Sequence, residues 1–280
     1  MIQTTRRSKT PRPVRGIKGH RTSEEVIFRR ELLNIVKALE ASVKEELLPV
    51  IRADLKTDGP ITDIFSIIAN LRSRVGDLMT LGEHIARKLA NNVDVMQSKK
   101  FSNMMRRAVG IDPAETITPD ISDILEISVA NNVSLIKSIP EQYFGKIEAL
   151  IRQNVEKGRS SGSLLSDIQN LSGVTRSRAK LIARDQTAKL VSNLNQARQE
   201  SAGIVGYMWH NSGDKAVRGN PSGLYPNSKY NHWRREGKFY LWKPSKKEII
   251  APDGKPFRQP PPDGHPGNAI NCRCTADPVI

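Results

Sequence analysis

Phe28, Leu32, Ile35, Leu39, Val43 and Leu47 recur every three to four residues, the spacing that lines apolar side chains along one face of an α-helix. The stripe begins behind Thr22-Ser23-Glu24-Glu25, a capping-box pattern in which the hydroxyl meets the first-turn backbone while Glu25 reaches back. It is expected to stop at Pro49, which cannot continue a helix interior. Gly59-Pro60 marks a break, and Ile61, Ile64, Phe65, Ile68 and Leu71 open a second long helical stretch that runs to about Val109. Gly110 to Thr118 is the next break, with Pro119 suited to the first position of a further helix.

Three shorter helices are expected next, in "ISDILEISVANNVSLIKSIP", "EQYFGKIEALIRQNVEKG" and "SLLSDIQNLSG", separated at Pro140 and at Gly158 to Gly162. A further helix, "TRSRAKLIARDQTAKLVSNLNQARQESAG", carries Ala179, Ile182, Leu190, Leu194 and Ala197 on one face and closes at Gly203, where glycine suits a left-handed terminus. Beyond it "IVGYMWHNS" and "KFYLW" alternate or cluster β-branched and aromatic residues as strands do. All three tryptophans and most of the prolines lie in residues 204–280. The pattern predicts a mainly α-helical protein with a small α+β C-terminal domain: long helices first, then a loop-rich region containing strands. The expected division is an arm over 1–21, a helical domain over 22–115, a helical lead-in over 116–172 and a C-terminal domain over 173–280.

Charge gives the two ends of the chain a separate character. The net charge of +15 divides into +7 over residues 1–22, −2 over 23–170 and +10 over 171–280. A basic leader without apolar periodicity reads as a disordered arm that lies against a polyanion, with Arg6, Arg7, Lys9, Arg12 and Arg15 as its contacts to nucleic acid. No run approaches the roughly eighteen apolar residues of a membrane span, and the first twenty residues lack the apolar segment of a signal peptide. The expected setting is therefore a reducing cytoplasm, where two close cysteines read as a metal or redox pair rather than a structural disulfide.

Both cysteines, Cys272 and Cys274, stand in "HPGNAINCRC", which also contains one of the five histidines. In an extended Cys-x-Cys both side chains point to the same side, so both sulfurs can reach one ion. His232 and His265 are the best candidates to complete a tetrahedral Cys2His2 set around a structural zinc, leaving no open position for catalysis. Against this stands the reading that the cysteines pack as small apolar residues and the histidines serve turns. A redox pair would need a strained small-ring disulfide. Asp214, His232 and His265 could also be assembled into a metal-dependent hydrolytic centre, although an ion pair between Asp214 and Arg218 that pins a loop is the commoner outcome for such a pair. No phosphate loop, nucleophile motif or two-cysteine, two-histidine finger spacing is present. His84, alone in "LGEHIARKL", reads as a surface histidine or one with its hydrogen bonds satisfied.

Four segments in order, "GVTRSRAKLIARDQTAKLVSNLNQAR", "GIVGYMWHNSGDKAVR", "HWRREGKFY" and "HPGNAINCRCTADPV", resemble the C-terminal domain of the Mu F-like phage head morphogenesis proteins. In that family a helix with an "IAR" segment leads to an aromatic strand, an Asp with a following "VR", a His with Gly-Lys beyond it, and a Pro-Gly turn before Cys-Arg-Cys. The resemblance covers residues 173–280, with a helical lead-in from about Val129. The thirteen residues "GNPSGLYPNSKYN" between Arg218 and His232, and the segment from Phe239 to His265, are longer here than in the family. The resemblance implies a minor capsid protein of a tailed phage or prophage, found in the virion and in the host cytoplasm during assembly. Its implied partners are the portal, the scaffold or major capsid protein, and DNA bound without sequence preference, with roles in head assembly and DNA packaging or ejection. A metal-dependent nuclease or toxin-like enzyme, and a nucleic-acid-binding protein outside any virion, are the alternatives.

Overall fold

A computed structural model describes residues 11–19, 22–57, 61–75, 77–110, 112–113, 119–157 and 161–280. The protein is mainly α-helical with a small three-stranded antiparallel sheet in its C-terminal region. Helix α1 (Ser23–Ser42) passes through a π-helical segment, Val43–Leu47, into α2 (Leu48–Thr57); α3 (Ile61–Arg74), α4 (Asp77–Val109), α5 (Ser122–Glu156) and α6 (Ser161–Ser201) follow. Strand β1 (Gly206–His210), a short 3-10 turn (Trp233–Arg235), β2 (Phe239–Leu241) and β3 (Thr275–Pro278) complete the order.

The apolar stripe of α1 is buried from Phe28 to Leu47 as its spacing requires, and the Glu25 N–H donates to Thr22 Oγ1 at 3.1 Å, which caps the first turn. The helix does not stop at Pro49. Leu48 N–H bonds to Val43 O, five residues back, and this wider π turn absorbs a proline that has no N–H to give the α-helical ladder. The break expected at Gly59-Pro60 lies outside the described residues.

Pro140 likewise fails to separate two helices: it is buried inside α5, flanked by buried Ile136, Ile139, Tyr143 and Phe144. Nearby, Ser138 Oγ donates to Leu135 O at 2.7 Å and accepts from Arg178 at 2.8 Å. Helix α6 runs through Gly173, where a Cβ would meet nothing within 4 Å, at a cost of about 1 kcal/mol in helix propensity that the burial of Leu164, Ile168, Ala179 and Ile182 offsets. Pro119 precedes α5 rather than opening it, and Asp120 Oδ1 accepts from Ser122 N–H at 3.1 Å.

The chain falls into two compact units, each discontinuous in sequence. One takes Met1–Glu25, Leu89–Ile127 and Arg184–Ile280; the other takes Val26–Lys88 and Ser128–Ala183. These units do not follow the blocks 22–115, 116–172 and 173–280 expected from composition, because α4, α5 and α6 each contribute residues to both. In the second unit Arg176 forms a two-point ion pair with Glu40.

The sheet belongs to the first unit and has the order β2-β1-β3. Tyr207 pairs with Tyr240 and Pro278, and Trp209 with Ala276. Side chains alternate across a strand, and they sort here into two cores. Tyr207, Trp209, Tyr240, Trp242, Cys272, Cys274 and Ala276 fill one face; Phe239, Leu241, Ala251 and Phe257 fill the other, with Met208 against them.

Residues 11–19 are ordered on this sheet, in contrast to the disordered arm expected over 1–21. Arg12 exchanges backbone hydrogen bonds with Ile280, and Val14 N–H donates to Pro278 O at 2.8 Å. The segment has few apolar residues, and backbone pairing with β3 supplies the order that side-chain periodicity does not show. Arg12 and Arg15 are exposed on it. Arg6, Arg7 and Lys9 lie outside the described residues.

Candidate metal centre

The C-terminal half of α6 locates the segment that holds the cysteines. Asp185 Oδ1 accepts from the Asn271 N–H at 2.7 Å, Ser192 Oγ donates to Pro266 O, and Gln199 Oε1 accepts from the Trp242 indole at 3.0 Å. Gly267 sits at φ 92°, and a Cβ there would stand 2.7 Å from Ser192 Cβ, so the Pro-Gly turn needs its glycine for both conformation and space. Asn271 takes φ 58°, a left-handed conformation that asparagine tolerates, and the chain then passes through Cys272 and Cys274 into β3.

His232 arrives from a different direction. It precedes the 3-10 turn, whose Trp233 N–H donates to Arg218 O at 3.0 Å, and its ring packs edge-on against Trp209 with centroids 5.0 Å apart. His232 Nδ1 lies 3.5 Å from Cys272 Sγ and 3.7 Å from Cys274 Sγ. All three residues are buried, and their ligand atoms lie within 4.8 Å of one another. The two cysteines are free thiols, so their shared side serves the imidazole and not a disulfide.

The far nitrogen of the same ring fixes its tautomer. His232 Nε2 lies 2.8 Å from Asp263 Oδ2, and the other oxygen of that carboxylate accepts from Arg235 at 2.6 Å. A carboxylate can only accept, so Nε2 carries a proton, and in the neutral form of the ring Nδ1 presents its lone pair to the sulfurs. This is the histidine–carboxylate pairing found behind metal-binding imidazoles. Burial pushes the Asp263 carboxyl up, but the bonds from Arg235 and His232 outweigh it and hold it below its usual value. The Arg235 guanidinium also stacks over the Trp209 ring, 4.8 Å from its centroid.

The sulfurs are electrostatically unequal. A hydrogen bond from the Cys274 thiol, opposed by burial and helped by His232, holds Cys272 well below the usual thiol range; the same bond, with burial, pushes Cys274 well above it. Two cysteine sulfurs and one imidazole nitrogen are a soft donor set of the kind that takes zinc or another thiophilic cation. The cluster could hold a metal ion.

Of the four residues expected as ligands, the structure brings together His232, Cys272 and Cys274 and places His265 elsewhere. His265 Nδ1 lies 2.9 Å from the Tyr207 hydroxyl, and the ring packs on Trp242 at 4.8 Å. The reason is its packing: the His265 ring is engaged by Tyr207 and Trp242, at a different part of the same aromatic core.

Nor do Asp214, His232 and His265 form a common centre. Asp214 Oδ1 accepts from Arg273 at 2.6 Å and from the Ala216 N–H at 2.8 Å. Its ionic partner is Arg273 rather than Arg218, whose guanidinium instead donates to Ile270 O at 2.8 Å. Asp263 and Arg235 carry no signal in the sequence, since a carboxylate that supports a ligand histidine has no fixed spacing from it. His84 is exposed, the first of its two readings.

A cavity of about 10 Å³ borders both cysteines, with Ile17, Gly19, Ser192 and Pro266 among its walls. That is room for roughly one water.

No family model matches the chain, and no solved structure matches it. The chain is similar to an uncharacterized protein of Haemophilus influenzae, 31% identical over 207 residues, or 73% of this chain. It spans 40% of that protein's length. No helix among the described residues is long and apolar enough to cross a membrane.

Proposed function

We propose that the chain is a minor head morphogenesis protein of a tailed phage or prophage, acting by binding and not by catalysis. One observation carries this reading: the ordered motifs on which the family resemblance rests are one another's hydrogen-bond partners. Arg218 of "GDKAVR" accepts from Trp233 of "HWRREGK" and donates to Ile270 of "HPGNAINCRC"; Asp214 accepts from Arg273; and His232 faces Cys272 and Cys274. Motifs that assemble into one site behave as a single inherited unit, whereas a chance series of short matches has no reason to interlock.

In this reading one Zn2+ is held by His232 Nδ1, Cys272 and Cys274. When bound, the zinc supplies a crosslink between the loop that ends at His232 and the segment that leads into β3. A small aromatic core with few aliphatic residues gains from such a staple. His232 binds, Asp263 orients it, Trp209 packs against the His232 ring, and Ile17 and Gly19 wall the small cavity beside the sulfurs.

The partners in this reading are the portal, the scaffold or major capsid protein, and DNA, in the virion and in the host cytoplasm during assembly. DNA is held through charge: Arg12 and Arg15 stand exposed on the ordered segment, and binding of this kind falls steeply with salt. The test of the function is mass spectrometry of purified heads from a phage or lysogen that carries the gene. The protein is expected in a few copies per particle beside portal and capsid proteins; its absence from heads would contradict the proposal. The nuclease alternative predicts cleavage of DNA with Mg2+, Mn2+ or Zn2+ that disappears in His232→Ala.

A further inference from the structure

Residues 11–19 lie outside the cysteine and histidine motifs, and Ile17 and Gly19 among them line the small cavity that borders both sulfurs. Residues 12–14 lie antiparallel to the end of the chain, held by Arg12 N–H to Ile280 O at 2.9 Å, Ile280 N–H to Arg12 O at 3.0 Å and Val14 N–H to Pro278 O at 2.8 Å. Gly16 N–H then donates to Asp277 Oδ1 at 2.8 Å, and a Cβ on Gly16 would stand 2.3 Å from Ala276 O. The segment presses on the backbone just beyond Cys274. Ile17 is buried, and a Cβ on Gly19 would stand 2.9 Å from Ala188 Cα on α6. Ile17 and Gly19 therefore bridge from β3 to α6 and wall the small cavity that borders Cys272 and Cys274. The sulfurs also face His232, which Trp209 backs.

We propose that residues 11–19 are a strap that controls access to the Cys272–Cys274 pair. With the strap in place the cavity beside the sulfurs holds nothing larger than about one water; with the strap lifted, a thiol reagent or an exchanging cation reaches them. The strap is fastened by a few backbone bonds, one side-chain acceptor and a single buried aliphatic residue, so it opens without unfolding the sheet, as weakly fastened segments do. The cation-exchange half of this inference rests on the zinc reading. The thiol-access half does not.

The experiment uses the full chain in two arms. In the first, metal-free protein is reacted with the aromatic disulfide DTNB under native conditions, and the rate at which the two thiols are modified is followed. In the second, zinc-loaded protein is mixed with a chelating dye and the rate of zinc release is measured. Gly16→Val pushes the strap away from Ala276, whereas Ile17→Ala keeps its backbone bonds and hollows the cavity wall. Tryptophan fluorescence and urea denaturation report whether the fold and its global stability survive. Thiol modification is expected to speed up by about tenfold or more in Gly16→Val and by less in Ile17→Ala, beyond any loss of global stability. Zinc release should follow the same order. Unchanged thiol rates, or increases no greater than the loss of global stability accounts for, would overturn the strap. A wild-type chain that takes up no zinc would overturn the zinc reading alone, since the thiol arm still decides the strap.

Discussion

The imidazole of His232 is held at both nitrogens, with Nε2 2.8 Å from Asp263 Oδ2 and Nδ1 3.5 Å from Cys272 Sγ. The first contact decides what the second can do, because a proton fixed on Nε2 leaves Nδ1 free to donate its lone pair. Asp263→Ala should therefore weaken zinc binding by about 10- to 100-fold, the usual effect of removing a supporting carboxylate, without abolishing it. His232→Ala should remove a ligand outright. Competition against a chelator of known affinity measures both.

His265 should behave differently from the other three candidates. His265→Phe keeps an aromatic ring against Tyr207 and Trp242 and should leave zinc stoichiometry unchanged. Burial holds the His265 imidazole below its ordinary value of 6.5, so the unfolded chain takes up the proton first as the medium is acidified. Stability is thus present above pH 6.5 and is lost as the pH falls from there through the folded value. Urea midpoints of metal-free wild type and His265→Phe over this range should diverge, with the wild type losing more.

Asp277 carries the opposite sign. Burial pushes its carboxyl above 3.8 despite the Gly16 N–H and Thr275 hydroxyl that pull it down. The folded state then binds this proton more tightly than the unfolded chain, so the ionised group costs stability at neutral pH. That cost falls as the pH drops through the raised value and is gone below 3.8. Asp277→Asn keeps an oxygen for Gly16 and should be more stable than wild type at neutral pH, with an advantage that vanishes in acid. Urea denaturation at several pH values checks this.

The cap at the start of α1 makes a smaller prediction. Thr22→Ala leaves the Glu25 N–H without its 3.1 Å acceptor and should cost about 1 kcal/mol, which Thr22→Ser restores. Chemical denaturation of the two variants is sufficient.

Much of this architecture is legible where burial follows local periodicity. The stripe from Phe28 to Leu47 and the alternation of Tyr207, Met208 and Trp209 each identify their element and its buried face. Legibility fails where tertiary packing overrides local preference. Pro140 and Gly173 look like helix ends, but the buried residues around them keep α5 and α6 continuous. Thr275–Pro278 contains a proline and no β-branched run beyond its first residue, and it is a strand because Tyr207 to His210 pair with it. Asp214 and Arg218 are four apart in a loop rather than a helix, so their spacing did not bring them face to face. In the site, Cys-x-Cys and His232 could be found by residue type. Asp263 and Arg235 could not, because they act on His232 through space, 31 and three residues away in the chain.

Elemental analysis of the purified chain beside Cys272→Ser tests the metal centre most directly. One zinc per wild-type chain is expected, lost or greatly reduced in Cys272→Ser and kept in His265→Phe. No metal in the wild type, or zinc that persists in Cys272→Ser, would contradict it.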